Sequence, residues 1–360
     1  MKIMYKTIII GATGIVGQQC ITALQNHPWF EITGLAASKN SAGKKYIDAI
    51  KNQNGSIQWF CKEQSKTEIN NMIVEDGDLV NPEKFDVAFS ALETNAAQRI
   101  EPRFAKFIPV LSTASAFRYE KDVPILVPGI NNEHIQILHE QKKRGWSGFI
   151  SPQANCTTTG LAFTLKPIQD KFGIESVIMT SLQAVSGAGR SPGIAVLDLV
   201  DNIIPYIPQE EEKVSIEALK ILGQKSGEVI QNASFKVSST CTRVNVLDGH
   251  TESVLVITSN KAEVDEIKEA MKSFSDCLSD MDLPSAPNQL LTIMDDPFRP
   301  QPRLDRDSEG GMTTSIGRIR KDEVFPNGIK YVLVSHNTRM GAAKGTVLMA
   351  EILVKEKMIH

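Results

Sequence analysis

The sequence has no CxxC pair, no internal repeat, no low-complexity segment and no apolar run long enough to span a bilayer. Its five cysteines, Cys20, Cys61, Cys156, Cys241 and Cys277, are odd in number and widely spaced. A disulfide framework and a thiolate zinc site are therefore excluded as organising features, and no metal is expected. A formal net charge of -3 over 360 residues supplies no broad positive field for nucleic acid or anionic membrane. The apolar stretch near the amino terminus, Thr7-Ile8-Ile9-Ile10, is too short for a signal peptide or a transmembrane helix. A cytoplasmic location is expected.

What is present is an ordinary globular composition, 41% hydrophobic and 22% charged, long enough for two packed domains. Thr7 to Ile10 is a short β-branched run ending in glycine, and Ile15 to Gln25 follows with apolar residues at helical spacing. The pattern predicts strand, tight turn, helix. Glu31 to Ala37 and Phe85 to Ser90 read as further strands, and helical Asn95 to Lys106 precedes Pro109 to Ser112. That order implies a doubly wound parallel sheet of the Rossmann type. After about residue 150 the strands lengthen, in Val177 to Val185, Phe235 to Val246 and Ser253 to Ser259, and alternate as in an antiparallel sheet covered on one face. Val264 to Leu278 carries a helical apolar stripe, and Gly341 to Lys355 reads as a closing helix that returns to the first domain. The expected fold class is α/β: a Rossmann-type doubly wound parallel sheet plus an α+β domain with a mostly antiparallel sheet.

Gly11-Ala12-Thr13-Gly14-Ile15-Val16-Gly17 sits between the first strand and helix. Glycines there permit the turn and a close pyrophosphate, while helix-start N–H groups face the phosphates. A glycine-rich turn without ligand is the competing reading, weakened by the strand–turn–helix context. The second strand ends in Ala36-Ala37-Ser38-Lys39-Asn40-Ser41-Ala42-Gly43-Lys44, without a carboxylate. A carboxylate there would accept from a ribose 2'-hydroxyl and repel a 2'-phosphate. Ser38, Ser41, Lys39 and Lys44 thus favour NADP over NAD, against the plainer account of an exposed basic loop.

Asn155-Cys156-Thr157-Thr158 precedes a predicted helix, Leu161 to Phe172. A cysteine at a loop-to-helix junction gains thiolate character from free N–H groups and the helix dipole. A capped helix with an incidental cysteine explains the spacing equally well. Cys241 is the rival nucleophile, but mid-strand it lacks a helix terminus. His250, after Leu247-Asp248-Gly249, is either an acid/base or a surface histidine. Arg243 is either a two-pronged carboxylate ligand or an ion-pair partner. Glu210, Glu211, Glu212 and Lys213 open a helical segment ending near Gly223, for which a solvated helix start is a sufficient account.

Joined together, these segments resemble the aspartate-semialdehyde dehydrogenase family, and its archaeal and fungal branch most closely, over nearly the whole chain. The likeness rests on the loop Gly11 to Gly17, on Ser41 to Lys44, Asn155 to Thr158 and Gln183-Ala184-Val185-Ser186-Gly187-Ala188-Gly189. It extends to Glu210 with Lys213, Arg243-Val244-Asn245-Val246 with Gly249-His250, Arg118 after Thr113-Ala114-Ser115, and His336-Asn337-Thr338 with Gly341-Ala342-Ala343. The resemblance implies an NADP-dependent phosphorylating aldehyde dehydrogenase of lysine, threonine and methionine biosynthesis. Such an enzyme converts 4-phospho-L-aspartate and NADPH to L-aspartate 4-semialdehyde and phosphate through a cysteine thioester. It assigns Cys156 as nucleophile, His250 as acid/base and Gln183 beside the thioester, with Arg243, Glu210, Lys213, Arg118 and Asn155 on the substrate. Gly11, Thr13, Gly14, Ile15, Val16, Gly17, Ser38, Ser41, Lys44, Ser90, Ser186, Gly187, Asn337 and Gly341 would hold the cofactor. Residues 1–152 with a C-terminal helix in 338–360 would be the NADP-binding domain, 153–337 the catalytic and dimerisation domain, and the assembly a homodimer or homotetramer. The chain departs from the family pattern at Asn40, where many members have arginine, at Thr113, a frequent asparagine, and at Pro128-Gly129-Ile130-Asn131, commonly Pro-Glu-Val-Asn. Two alternatives share the fold: a reductase of malonyl- or succinyl-CoA, and a catalytically silent NADP-binding protein.

Overall fold

The computed structural model describes residues 4–189, 196–275 and 277–360. Six parallel strands form the first sheet: β1 (Tyr5–Ile10), β2 (Phe30–Ala37), β3 (Glu75–Asp76), β4 (Val87–Ser90), β5 (Val110–Ser112) and β6 (Ile150–Pro152), in the order β3-β2-β1-β4-β5-β6. Ile8, Ile9 and Ile10 are consecutive and all fully buried. A strand closed off on both faces needs such a continuous apolar run. The helix Ile15–Leu24 packs against the C-terminal helix Ala343–Lys355, and Thr94–Ala105 lies against β4, β5 and β6. The order reverses between β1 and β4, which opens a crevice at the carboxyl ends of these strands.

The second sheet contains β7 (Ile174–Gln183), β10 (Lys236–Arg243), β11 (His250–Thr258), β12 (Leu291–Met294), β13 (Thr314–Lys321) and β14 (Gly328–Ser335), while β8 (Gln224–Ser226) and β9 (Val229–Gln231) form a separate hairpin. Its order is β10-β7-β11-β14-β13-β12, antiparallel through the middle and parallel at the two edge pairs, β10–β7 and β12–β13. In β7, Val177, Met179, Ser181 and Gln183 point inward, whereas Glu175, Ile178 and Thr180 are exposed. The inner face carries the helices Cys156–Phe172 and Val264–Ser275, which also touch each other.

Several element ends differ from expectation. The helix predicted from Leu161 begins five residues earlier, at Cys156. Three threonines and a glycine are weak helix formers, but Thr157, Thr158 and Thr159 are fully buried, and the Asn155 side chain caps the N–H groups of Thr157 and Thr158. Packing and the cap override propensity. The predicted strand Phe235 to Val246 stops at Arg243. The helix predicted to Leu278 is described over Val264–Ser275, Asp276 lies outside the described residues, and Cys277 is already in a turn. Among the described residues no helix is long and apolar enough to cross a membrane.

Candidate active site

The nucleophile turn is built where β6 hands over to the second domain. Asn155 is the N-cap, its Oδ1 accepting from Thr157 N at 2.9 Å and Thr158 N at 3.2 Å, so Cys156 is the first residue of the helix. Its Sγ lies 3.2 Å from Nε2 of His250. His250 opens β11 after Gly249, whose φ of 91° is the left-handed region that favours glycine. The Ala184 N–H donates to Nδ1 of His250 at 3.1 Å. With Nδ1 an acceptor, the neutral ring carries its proton on Nε2, facing the sulfur.

Burial dominates the electrostatics of this pair. It pushes the Cys156 thiol up to about 12, helped by Glu210, while Arg243, Arg118 and the Thr157 N–H pull the other way without prevailing. Burial, with the charges of Arg243 and His336, holds His250 down to about 3. The expected thiolate at the helix entrance is therefore corrected: the resting pair is a neutral thiol and a neutral imidazole, because desolvation outweighs the helix terminus. His250 is fully buried and is no surface histidine. Cys241, the rival nucleophile, is a buried mid-strand residue whose N–H donates to the Glu211 carboxylate, and it is absent from the lining of the cleft that Cys156 faces.

That cleft, of about 1050 Å³, lies between the two sheets. Asn155, Gln183, Glu210, Lys213, Arg118 and Arg243 all line it. Glu210 Oε1 gathers Asn155 Nδ2 at 2.9 Å, Gln183 Nε2 at 3.1 Å and Thr157 Oγ1 at 3.3 Å. Arg243 is fixed by Nη1 donating to Ala184 O at 2.7 Å, and Arg118 by Nη2 donating to Thr113 O at 3.0 Å. Both arginines leave a buried Nε without a partner. An orphaned guanidinium donor in a cleft is a ready anion ligand.

The glycine loop borders the same cleft through Thr13, Gly14, Ile15 and Val16. A Cβ on Gly17 would stand 2.2 Å from the Gly11 carbonyl oxygen, so only glycine lets the turn close against the helix. Gly14 is the N-cap and has no side chain to cap the first-turn N–H groups, which leaves them for phosphate. The loop thus fits a dinucleotide. Ser186, Gly187, Asn337 and Gly341 line the cleft beyond it. Asn337 ties two turns together, accepting from Gly249 N at 2.9 Å and donating to Ser186 Oγ at 2.8 Å. A Cβ on Gly341 would come within 3.0 Å of the Cys156 Cβ.

Gly11, Gly17, Ser38, Ser41, Lys44 and Ser90, also expected on the cofactor, do not themselves border this cleft. On the loop after β2, Ser38 and Lys44 are exposed and Ser41 is half-buried. Ser90 is buried, and its hydroxyl donates to Glu101 Oε1 at 2.6 Å. Glu101 also takes the Ser112 hydroxyl, so the buried carboxyl claims the strand-end serines, and Ala91 to Thr94 border the cleft instead.

Two family models match the chain in tandem: "Semialdehyde dehydrogenase, NAD binding domain" over residues 6–138 and "Semialdehyde dehydrogenase, dimerisation domain" over residues 165–340. The chain belongs to the semialdehyde dehydrogenase family. Among semialdehyde dehydrogenases, the aspartate-semialdehyde dehydrogenase of Methanothermobacter thermautotrophicus is 42% identical over 96% of this chain and 97% of that protein. The Candida albicans enzyme of the same name is 41% identical over 98% of this chain and 99% of its own. The crystal structure of the Candida albicans enzyme with NADP superposes with a TM-score of 0.88 at 39% identity, covering 99% of this chain and 100% of that one. Aspartate semialdehyde dehydrogenase II of Vibrio cholerae, complexed with ASA, gives 0.75 at 26% identity over 98% and 99%.

Within this semialdehyde dehydrogenase fold, sequence reasoning missed three buried charged residues around the site. Glu217 accepts from Arg118 Nη1 at 2.9 Å and from the Asn155 N–H at 2.7 Å. Lys220 donates to the carbonyl oxygens of Arg118, Glu120 and Val123 at 2.7, 2.8 and 2.7 Å. Glu252 is fully buried two residues after His250, with burial holding its carboxyl well above the usual range. The available signal was helical spacing: Glu217 is two turns beyond Glu210, on the same helix face.

Proposed function

We propose that this chain is an aspartate-semialdehyde dehydrogenase that reduces 4-phospho-L-aspartate to L-aspartate 4-semialdehyde and phosphate with NADPH, through a thioester on Cys156. The observation that carries the reading is the 3.2 Å approach of Cys156 Sγ to His250 Nε2 in a cleft shared by the glycine loop and two arginines with unpaired Nε donors. Thr13, Gly14, Ile15, Val16 and Gly17 would hold the diphosphate of NADPH, with Ser186, Gly187, Asn337 and Gly341 about its far end. Bound there, NADPH supplies the hydride that reduces the acyl group.

The chain's own residues do the rest. Arg243 holds the substrate carboxylate, Glu210 its ammonium group, and Arg118 with Lys213 the phosphate. Cys156 attacks the acyl carbon as a thiol whose proton leaves with the departing phosphate, since the protonated Nε2 of His250 has no lone pair to accept it. Gln183 and the helix start lie beside the acyl oxygen. His250 then donates a hydrogen bond from its Nε2–H to the oxyanion of the reduced adduct without giving the proton up, and collapse of that anion frees the aldehyde and releases Cys156 as a thiolate that takes a proton from solvent. Arg243 and Arg118 ease the loss of the thiol proton during attack, since both pull the thiol down against the effect of burial. A homodimer or homotetramer located in the cytoplasm completes the reading, with residues 1–152 and 338–360 binding NADP and 153–337 carrying catalysis and dimerisation.

A steady-state assay tests it. Aspartate semialdehyde, NADP⁺ and inorganic phosphate should give NADPH, whereas malonyl- or succinyl-CoA with NADPH should not react. Turnover confined to the CoA esters would replace this reading by an acyl-CoA reductase, and cofactor binding without either reaction by a silent binding protein.

A further inference from the structure

Helix Glu210–Ile221 presents two carboxylates to the nucleophile turn from one face, Glu210 and Glu217, two turns apart. Glu210 has its place in the proposed substrate site, but Glu217 has none. It is fully buried, so it touches no solvent and lines no part of the cleft. Its Oε1 accepts from Arg118 Nη1 at 2.9 Å and Tyr119 Oη at 3.3 Å, and its Oε2 accepts from the Asn155 backbone N–H at 2.7 Å. One carboxylate thus grips the arginine of the phosphate end and the residue that caps the nucleophile helix.

The rest of the neighbourhood is arranged around that grip. Lys220, one turn further along the same face, pins the Arg118–Val123 segment through three carbonyl oxygens. Arg118 has Nη1 on Glu217 and Nη2 on the Thr113 carbonyl. With both Nη atoms anchored, Arg118 keeps its buried Nε unpaired. A guanidinium is planar, so fixing both Nη atoms fixes the direction of Nε. A charge desolvated in this way is also kept in place only by a buried counter-charge.

We infer that Glu217 is a positioning residue for the phosphate-binding step: it orients Arg118 toward the phosphate and locks the Asn155–Cys156 turn to the same point, so that anion and nucleophile are held in register. The inference rests on the reading of Arg118 as a phosphate ligand. It concerns a residue that touches neither substrate nor cofactor, and its effect on phosphate affinity passes through Arg118.

The test is a double-mutant cycle on the full-length enzyme, reading the KM for inorganic phosphate at saturating NADP⁺ and aspartate semialdehyde. Glu217→Gln keeps the shape but puts an amide donor against donors, and loss of a charge-assisted contact should raise the phosphate KM about tenfold or more. The Kd for NADP⁺ should stay within about twofold of wild type, which a general loss of folding would not allow. Arg118→Ala should raise the phosphate KM by itself, and adding Glu217→Gln to it should raise it no further. Should Glu217→Gln fail to fold, Glu217→Asp, too short to span both partners, is judged by the same criteria. An unchanged phosphate KM in the Glu217 variants, or a full additional effect in the double variant, overturns the inference while leaving Arg118 in its role. An unchanged KM in Arg118→Ala overturns the phosphate reading and this inference with it.

Discussion

Cys156 Sγ faces Nε2 of His250 at 3.2 Å, and the same imidazole takes the Ala184 N–H on Nδ1 at 3.1 Å. The backbone therefore sets which nitrogen is protonated, and His250 is poised to donate toward the reacting centre. Replacement Cys156→Ser should abolish turnover and leave NADP⁺ binding, measured by fluorescence titration, intact. His250→Asn should slow turnover by about a hundredfold or more. Near-normal turnover in either variant would remove the pair from the mechanism.

The resting thiol is neutral because burial pushes it up to about 12. Alkylation by iodoacetamide follows the thiolate fraction, so the rate at Cys156 in the free enzyme should still be climbing at about pH 9. Peptide mapping of the labelled site measures this directly. A plateau reached below neutrality would mean that the helix entrance, and not desolvation, governs the sulfur.

Acid stability carries the signature of His250. Its folded value lies at about 3 against an ordinary 6.5, so the unfolded chain binds more protons across that window and stability falls as pH drops through it. Between pH 6.5 and 5 the contribution is about 2 kcal/mol. His250→Asn should lose correspondingly less stability than wild type over that interval, read from denaturant unfolding at both pH values. Equal losses in the two proteins would contradict the buried neutral imidazole.

At the other end of the cleft, Gly17→Ala would set a Cβ 2.2 Å from the Gly11 carbonyl oxygen. The loop and helix must separate, and the N–H groups offered to the diphosphate move with them. Thermal stabilisation of the protein by NADP⁺ should be lost, while the helix itself, which alanine favours over glycine, persists by circular dichroism. Undiminished cofactor stabilisation would show that the loop is not the diphosphate site.

Local patterns were enough to read much of this protein from its sequence. A β-branched run before Gly11 and an apolar helical stripe after Gly14 specify strand, turn and helix, because period and turn chemistry act over a few residues. The motifs about Cys156, Arg243 and His250 were likewise visible as short segments, and their joint occurrence carried the family resemblance. What folding alone decided is how distant segments meet. Only the contact of β7 with β11 brings the Ala184 N–H to His250 and fixes its proton, and only the depth of the cleft makes the thiol neutral where a helix entrance by itself favours thiolate. The Ser90 hydroxyl is taken by Glu101, eleven residues on, a pairing that no local pattern shows. Glu217 belongs to no sequence motif, and only its burial gives it Arg118 and Asn155 as partners. Desolvation and long-range hydrogen bonds depend on everything packed around a group, so they appear in no stretch of chain taken alone.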